Sequence, residues 1–440
     1  MLDLGTSFLA SVARDPDALA IVDGGLRLSY RAWYDKISAL VDGFDHLGLK
    51  PGDHLVTVLQ NRWEAATIHW ACQFAGIIVT PLNWRATAED LDFCIDDAEA
   101  KAIVYEDISA AAVRSSKEAR TQRRICVGNT QAQDAPFDSL IAAGADGVRP
   151  RVDAEAWSVM LYTSGTTARP KGVPRRQRAE RAAALAHVAQ NLYAAHERTL
   201  GAMPLYHTMG ARSLLAMSLV GGAFVCLPRF EAGRALELIA AERITNLYLV
   251  PTLYHDLLHH PRFAASDLSS VRKLGFAGAP MTDGLLKSLK EAFKPELFVN
   301  HYGSSEIYTF TIDQNAPAKP GSAGRVDDMI ISGGENISPV EIESCLSLHP
   351  AVSEIAVVGL ADERWGKIVA AFVKRCSAVE PDELDDFCRA SGLASYKRPR
   401  RYLFVQTIPR SPVGKLLRRK LLAGEYEPER AVAMSAPSKR

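Results

Sequence analysis

The sequence predicts an α/β protein with a large N-terminal domain of mixed parallel sheets layered with helices, and a small α+β C-terminal domain. Three observations predict it. Strand and helix signals alternate over the first three quarters of the chain, which implies parallel strands joined by crossover helices. After about Arg325 the signals become shorter and more charged, with many Lys and Arg. The length of 440 residues is enough for more than one domain. The expected boundary lies near Gly324 to Asp328, giving domains 1–324 and 325–440.

The elements follow in order. Tyr30 to Leu47 has the apolar periodicity of an amphipathic helix and stops at Gly48. Pro51-Gly52-Asp53 turns into a strand, His54 to Leu59. A helix over Glu64 to Phe74 leads to a strand over Gly76 to Thr80, and a helix over Ala88 to Asp97 leads to a strand over Ala102 to Tyr105. The rhythm continues with strands at Leu200 to Met203, Ala223 to Leu227, Asn246 to Val250, Leu274 to Ala277 and Leu297 to Val299. Glu429 to Arg440 reads as a frayed tail.

Composition removes several function classes. Lys+Arg and Asp+Glu both number 51, so the formal net charge is zero and electrostatic nucleic-acid binding is not expected. No apolar run is long enough to cross a bilayer. The first 25 residues contain Asp3, Arg14, Asp15, Asp17 and Asp23, so no signal peptide is expected. The seven cysteines form no C-x-x-C pair, which suits reduced, mostly buried thiols in the cytoplasm.

Five segments carry candidate chemistry. Thr163-Ser164-Gly165-Thr166-Thr167-Ala168-Arg169-Pro170-Lys171-Gly172 follows an apolar run and combines hydroxyls, glycine and a lysine. These are the groups that grip phosphate, although the order differs from the Walker pattern. A polar surface loop would hold the same residues. His207, in Pro204-Leu205-Tyr206-His207-Thr208-Met209-Gly210, either packs in the core or faces an organic acid. Glu306, closing Asn300-His301-Tyr302-Gly303-Ser304-Ser305-Glu306, is either a capping glutamate or a Mg²⁺ ligand at a strand's carboxyl end. Gly333-Gly334 allows close backbone approach to a ligand and equally suits a hairpin turn. Lys415, after Pro412-Val413-Gly414, can neutralise charge on a phosphoryl or acyl oxygen, or belong to a basic solvated tail.

Taken together and in this order, the five segments resemble the adenylate-forming superfamily of acyl- and aryl-CoA synthetases, luciferases and peptide-synthetase adenylation domains. The resemblance covers nearly the whole chain. Asp328 to Ile337, Glu363-Arg364-Trp365-Gly366 and Tyr396-Lys397-Arg398-Pro399 make it most similar to benzoate-type ligases such as the 4-chlorobenzoate:CoA ligases.

The resemblance implies that a carboxylic acid attacks the α-phosphate of MgATP, and that the small, mobile domain then rotates so that coenzyme A can take the acyl group. It implies that Thr163, Ser164, Gly165, Thr166, Thr167 and Lys171 hold the outer phosphates. Glu306 would bind Mg²⁺ and Ser305 would sit near the α-phosphate. Gly278, Ala279, Pro280, Tyr302 and Gly303 would flank adenine and the acyl group. His207 would meet the carboxylate, with Thr208, Met209, Tyr248, Val250, Ile307 and Thr309 as further acyl-pocket candidates. Lys415 would stabilise the adenylation charge, and Asp327 would be the hinge. Gly333, Gly334 and Trp365 would line the CoA channel, and Lys397, Arg398 and Arg400 would meet its phosphates. Arg325 is either the hinge-side arginine or part of the segment before it. The chain is compatible with a homodimer.

One departure stands out. Glu306 and Arg325 are only 19 positions apart. The resemblance leads one to expect several dozen more residues there, including a Tyr-x-Thr-Gly-Asp motif that holds the ATP ribose. The only Gly-Asp pair, Gly52-Asp53, lies far upstream. A deletion between Glu306 and Asp327 is therefore expected, with weak or absent activity. The readings carried forward are an aromatic acid:CoA ligase, a medium- or long-chain fatty acyl ligase, and an inactive remnant that only binds nucleotide.

Overall fold

The computed structural model describes residues 2–129, 134–142, 147–163, 170–318, 330–332, 335–362, 366–411 and 416–429. These fall into two compact units. The first comprises 1–249, 256–277 and 295–314, and the second 250–255, 278–294 and 315–440.

The first unit is built on two sheets. A seven-stranded sheet runs in the order 135–136, 123–127, 102–106, 54–58, 78–81, 157–163, 171–176. An eight-stranded sheet runs 311–313, 297–302, 273–276, 246–249, 198–201, 223–226, 19–23, 26–29. Most pairs are parallel, as the alternation of signals requires. Antiparallel pairs enter where a strand returns directly, at 157–163 with 171–176 and at 297–302 with 311–313.

Local chemistry explains the element limits. The first long helix covers Tyr30–His46 because the Ser29 hydroxyl accepts from the Ala32 N–H at its start. The helix Ala88–Asp97 opens on a reciprocal capping box between Thr87 and Asp90. The expected strand from Gly76 begins later, at Ile78. Gly76 itself caps the helix Trp63–Ala75 in the left-handed conformation, φ 74°, which costs glycine little. The strand expected over Leu297 to Val299 extends to Tyr302, so its last residues belong to the candidate motif.

The core of the first unit includes Phe8, Trp33, Trp70 and Phe74, all essentially inaccessible to solvent. Each such side chain contributes on the order of 1.5–3 kcal/mol through burial. The Trp33 indole N–H is satisfied by the Thr67 hydroxyl at 3.0 Å. In the second unit a three-stranded sheet of 352–362, 366–375 and 401–404 packs against the helices Pro339–Leu346 and Pro381–Ala390. All seven cysteines are free, and five are buried. Among the described residues no helix is long and apolar enough to cross a membrane.

Candidate active site

The strand Trp157–Thr163 returns as Lys171–Arg176, and Thr163 pairs directly with Lys171. The expected phosphate loop therefore joins two antiparallel strands rather than introducing a helix. Thr163 and Lys171 stand at its two ends, with the Thr163 hydroxyl 3.4 Å from the Lys171 carbonyl oxygen. Ser164, Gly165, Thr166 and Thr167 lie outside the described residues.

The loop carrying Glu306 is folded back tightly. Ser304 N–H donates to the Ile307 carbonyl at 2.9 Å and Phe310 N–H to the Tyr302 carbonyl at 2.8 Å. Gly303 is required by this approach, because a Cβ there would stand 1.8 Å from the Tyr308 carbonyl oxygen. Arg175 anchors the loop from the neighbouring hairpin. Its Nη1 donates to the carbonyls of Ser305 at 3.1 Å and Glu306 at 3.0 Å. Its Nε pairs with the fully buried Glu180, which also accepts from the Tyr308 hydroxyl. The Arg175 guanidinium lies 3.7 Å and that of Arg212 4.2 Å from the Tyr308 ring centre, and Arg212 also donates to Thr309 Oγ1 at 2.8 Å. Burial, with the Glu180 carboxylate beside it, pushes the Tyr308 phenol well above its ordinary range.

This knot leaves the Glu306 carboxylate exposed. Its own backbone N–H and the Ser304 hydroxyl, with the charge of Lys171, hold its pKa below the usual carboxylate range. Glu306 is thus ionised, and because Arg175 lies on the strand Lys171–Arg176, its bonds to the Ser305 and Glu306 carbonyls fasten the Glu306 loop to the hairpin that Lys171 closes. Tyr302 stacks on Phe310 with ring centres 5.8 Å apart.

His207 caps the helix Thr208–Val220, with Nδ1 accepting from the Met209 N–H at 3.4 Å. The segment leading to it is held by Asn61. Its Nδ2 donates to the carbonyls of Gly201 at 2.7 Å and Met203 at 2.6 Å, and its Oδ1 accepts from Leu205 N–H at 2.9 Å. No motif in the sequence marks Asn61, Arg175, Glu180 or Tyr308 as parts of this framework. Arg175 directly precedes another arginine and reads as a solvated charge.

The remaining candidates are placed differently. Gly278, Ala279 and Pro280 fall in the second unit. Lys397 meets Glu341 at 2.7 and 2.9 Å, and Arg398 meets Asp385 at 2.7 Å. Each is engaged with a carboxylate of its own unit. The strands 330–332 and 335–337, which flank Gly333-Gly334 in the sequence, pair antiparallel. Gly333, Gly334, Arg325, Asp327, Trp365 and Lys415 lie outside the described residues.

An α/β unit with a phosphate-type hairpin beside an ionised glutamate defines a nucleotide-handling enzyme. The family models agree: "AMP-binding enzyme" matches residues 8–331 and "AMP-binding enzyme C-terminal domain" matches 341–415. A 4-chlorobenzoate–CoA ligase of Pseudomonas sp. (strain CBS-3) is 32% identical, over 88% of this chain and 88% of that protein. A feruloyl-CoA synthase of Amycolatopsis sp. is 27% identical over 94% and 97%. The solved structure of the anthranilate CoA ligase AuaEII with anthranoyl-AMP matches with a TM-score of 0.89 at 21% identity, covering 96% of this chain and 97% of that one. The chain belongs to the AMP-binding enzyme family.

Proposed function

We propose that this enzyme activates a benzoate-type carboxylic acid with MgATP and transfers the acyl group to coenzyme A. One observation carries the reading: Arg175, on the strand that Lys171 opens, holds the Ser305 and Glu306 carbonyls at 3.1 and 3.0 Å and so fastens the Glu306 loop to the phosphate-type hairpin. A triphosphate needs a cation at one edge and a metal-holding carboxylate at the other. The 32% identity to a benzoate-type CoA ligase supports the acid class and the thiol acceptor.

In this reading a carboxylate oxygen of the acid forms a bond to the α-phosphorus, and pyrophosphate leaves. The thiol sulfur of coenzyme A then attacks the acyl carbon and AMP leaves. Thr163 to Lys171 grip the outer phosphates, and Ser305 and Tyr302-Gly303 border the α-phosphate and acyl group. His207, whose Nδ1 accepts from the Met209 N–H, meets the acid carboxylate. Among the described residues no group of three or more His, Cys, Asp or Glu gathers to hold a metal. Mg²⁺ would take Glu306 together with phosphate and water oxygens, and would supply charge neutralisation. Lys415 serves adenylation, Asp327 the hinge, and Gly278 to Pro280 the adenine. Arg325, Gly333, Gly334 and Trp365 complete the assignments toward the hinge and the CoA channel. Lys397 and Arg398 would exchange their carboxylate partners for CoA phosphates. We place the domain boundary at 324/325 and the enzyme in the cytoplasm, where the chain is compatible with a homodimer.

A specific observation keeps the remnant reading alive. The alignment with the 32% relative runs over 475 residues, longer than this whole chain, which supports missing residues such as those expected after Glu306. The decisive experiment measures pyrophosphate release with ATP, Mg²⁺ and a panel of benzoates and fatty acids, with and without coenzyme A. Acid-dependent release with aromatic acids and CoA-dependent AMP formation are expected. ATP binding by calorimetry without release under any condition would overturn the catalytic reading.

A further inference from the structure

The first unit holds a buried cluster of polar rings. His187 sits on the helix Gln177–Gln190, Asn191 caps that helix, Tyr248 lies on the strand Asn246–Leu249, and His301 on Leu297–Tyr302. All four are at most 3% exposed. The His187 and Tyr248 ring centres are 4.6 Å apart, and His301 lies 5.2 Å from each. Tyr248 and His301 are both the last-but-one residues of parallel strands in the same sheet. Open α/β sheets bind their ligands at the carboxyl ends of such strands.

Asn191 fixes the protons of both imidazoles. Its amide nitrogen donates to His187 Nδ1 at 3.0 Å and to the His187 carbonyl at 2.9 Å. Its amide oxygen lies 3.3 Å from His301 Nε2. An amide nitrogen only donates and an amide oxygen only accepts, so His187 carries its proton on Nε2 and His301 on Nε2. Burial first, and the nearby Arg212 charge second, hold His301 down to about 3, and burial likewise depresses His187, so both rings are neutral. His187 Nε2 and His301 Nδ1 are the two nitrogens left over, and neither has a hydrogen-bond partner among the described residues. One is therefore an unused donor and the other an unused acceptor.

Leaving both unpaired in a dry interior is unfavourable. A hydroxyl is the smallest group that answers both, accepting from His187 and donating to His301. The two ring centres are 5.2 Å apart, so the two nitrogens belong to adjacent rings that one small group can contact. A halogen, methyl or ring C–H answers neither, a carboxylate only accepts, and an ammonium only donates. We propose that His187 and His301 form a subsite for a hydroxyl on the acid, making the substrate a hydroxyl-bearing aromatic acid. This rests on the adenylation reading above. The same chemistry can be met by a buried water, and the experiment separates the two sources.

The test is calorimetric binding of benzoate, the hydroxybenzoate isomers and the matching fluorobenzoates to wild type, His301→Leu and His187→Phe. One hydroxybenzoate isomer is expected to bind wild type at least about tenfold tighter than benzoate or its fluoro analogue. In either variant that advantage over benzoate falls to about twofold or less. An absent hydroxyl preference in wild type, or one that survives both variants, overturns the subsite and leaves the pair to water. Should one variant fail to fold, the wild-type panel and the other variant decide. Pyrophosphate release is measured alongside: its absence with every acid would strike the adenylation reading, whereas binding selectivity reports on the subsite alone.

Discussion

Arg175 holds Glu306 by its backbone and not by its carboxylate, through Nη1 donating to the Glu306 carbonyl oxygen at 3.0 Å. The carboxylate that would meet metal is thus not taken up by Arg175 while its loop is fastened. Arg175 itself is buried against the fully buried Glu180. Replacing it leaves Glu180 without its cation and the loop without its two carbonyl anchors. Arg175→Met is expected to cost about 3–5 kcal/mol of stability and to raise the KM for ATP. Urea unfolding and initial-rate kinetics check this; a variant with wild-type stability would show that the knot is not a structural anchor.

Glu306→Gln separates function from stability. The carboxylate is exposed, so its loss should change stability by no more than about 0.5 kcal/mol. If it holds Mg²⁺ against phosphate, pyrophosphate release should fall by about 10²-fold or more, with a higher Mg²⁺ requirement. Undiminished release at low Mg²⁺ would remove Glu306 from the site.

Much of the fold was readable because its signals are local. The helix Ala88–Asp97 coincides with its expected span because Thr87 and Asp90 form a capping box within four residues. The strands fell within a few residues of expectation because short apolar runs ended in turn chemistry. The Arg175–Glu180–Tyr308 knot was not readable. Its partners are up to 133 positions apart, and no periodicity links an arginine on one hairpin to a tyrosine on another loop. The same holds for Asn191, an unremarked helix end that fixes two imidazoles. The Thr163 to Lys171 segment was legible as chemistry, yet its placement between paired antiparallel strands needed the register of Thr163 on Lys171.

Asn61 tests how far positioning reaches. It satisfies two carbonyls and one N–H in the segment before His207. Asn61→Leu leaves those groups buried and unpaired, at a cost of on the order of 1–3 kcal/mol. If His207 meets the acid as proposed, its imidazole is displaced, so kcat should fall while the KM for ATP changes little. A rise in the KM for ATP alone would place Asn61's influence on the nucleotide and not on the acid.

His69 is 3% exposed on the helix Trp63–Ala75, and burial alone drives it from the ordinary 6.5 to about 4. The unfolded chain takes up the proton near 6.5, while the folded chain refuses it until about 4. Between those values the unfolded form binds the extra proton, so stability drops as pH falls, by about 1.4 kcal/mol per pH unit for one such site. The contribution is fully present above 6.5 and is lost on the way down to about 4. His187 and His301 act in the same direction. His69→Leu is therefore expected to flatten the pH dependence of urea unfolding between pH 6.5 and about 4.5 by roughly that slope. Its stability above pH 7 should change far less. A variant that tracks the wild-type slope throughout would mean that His69 is not held neutral in the folded chain.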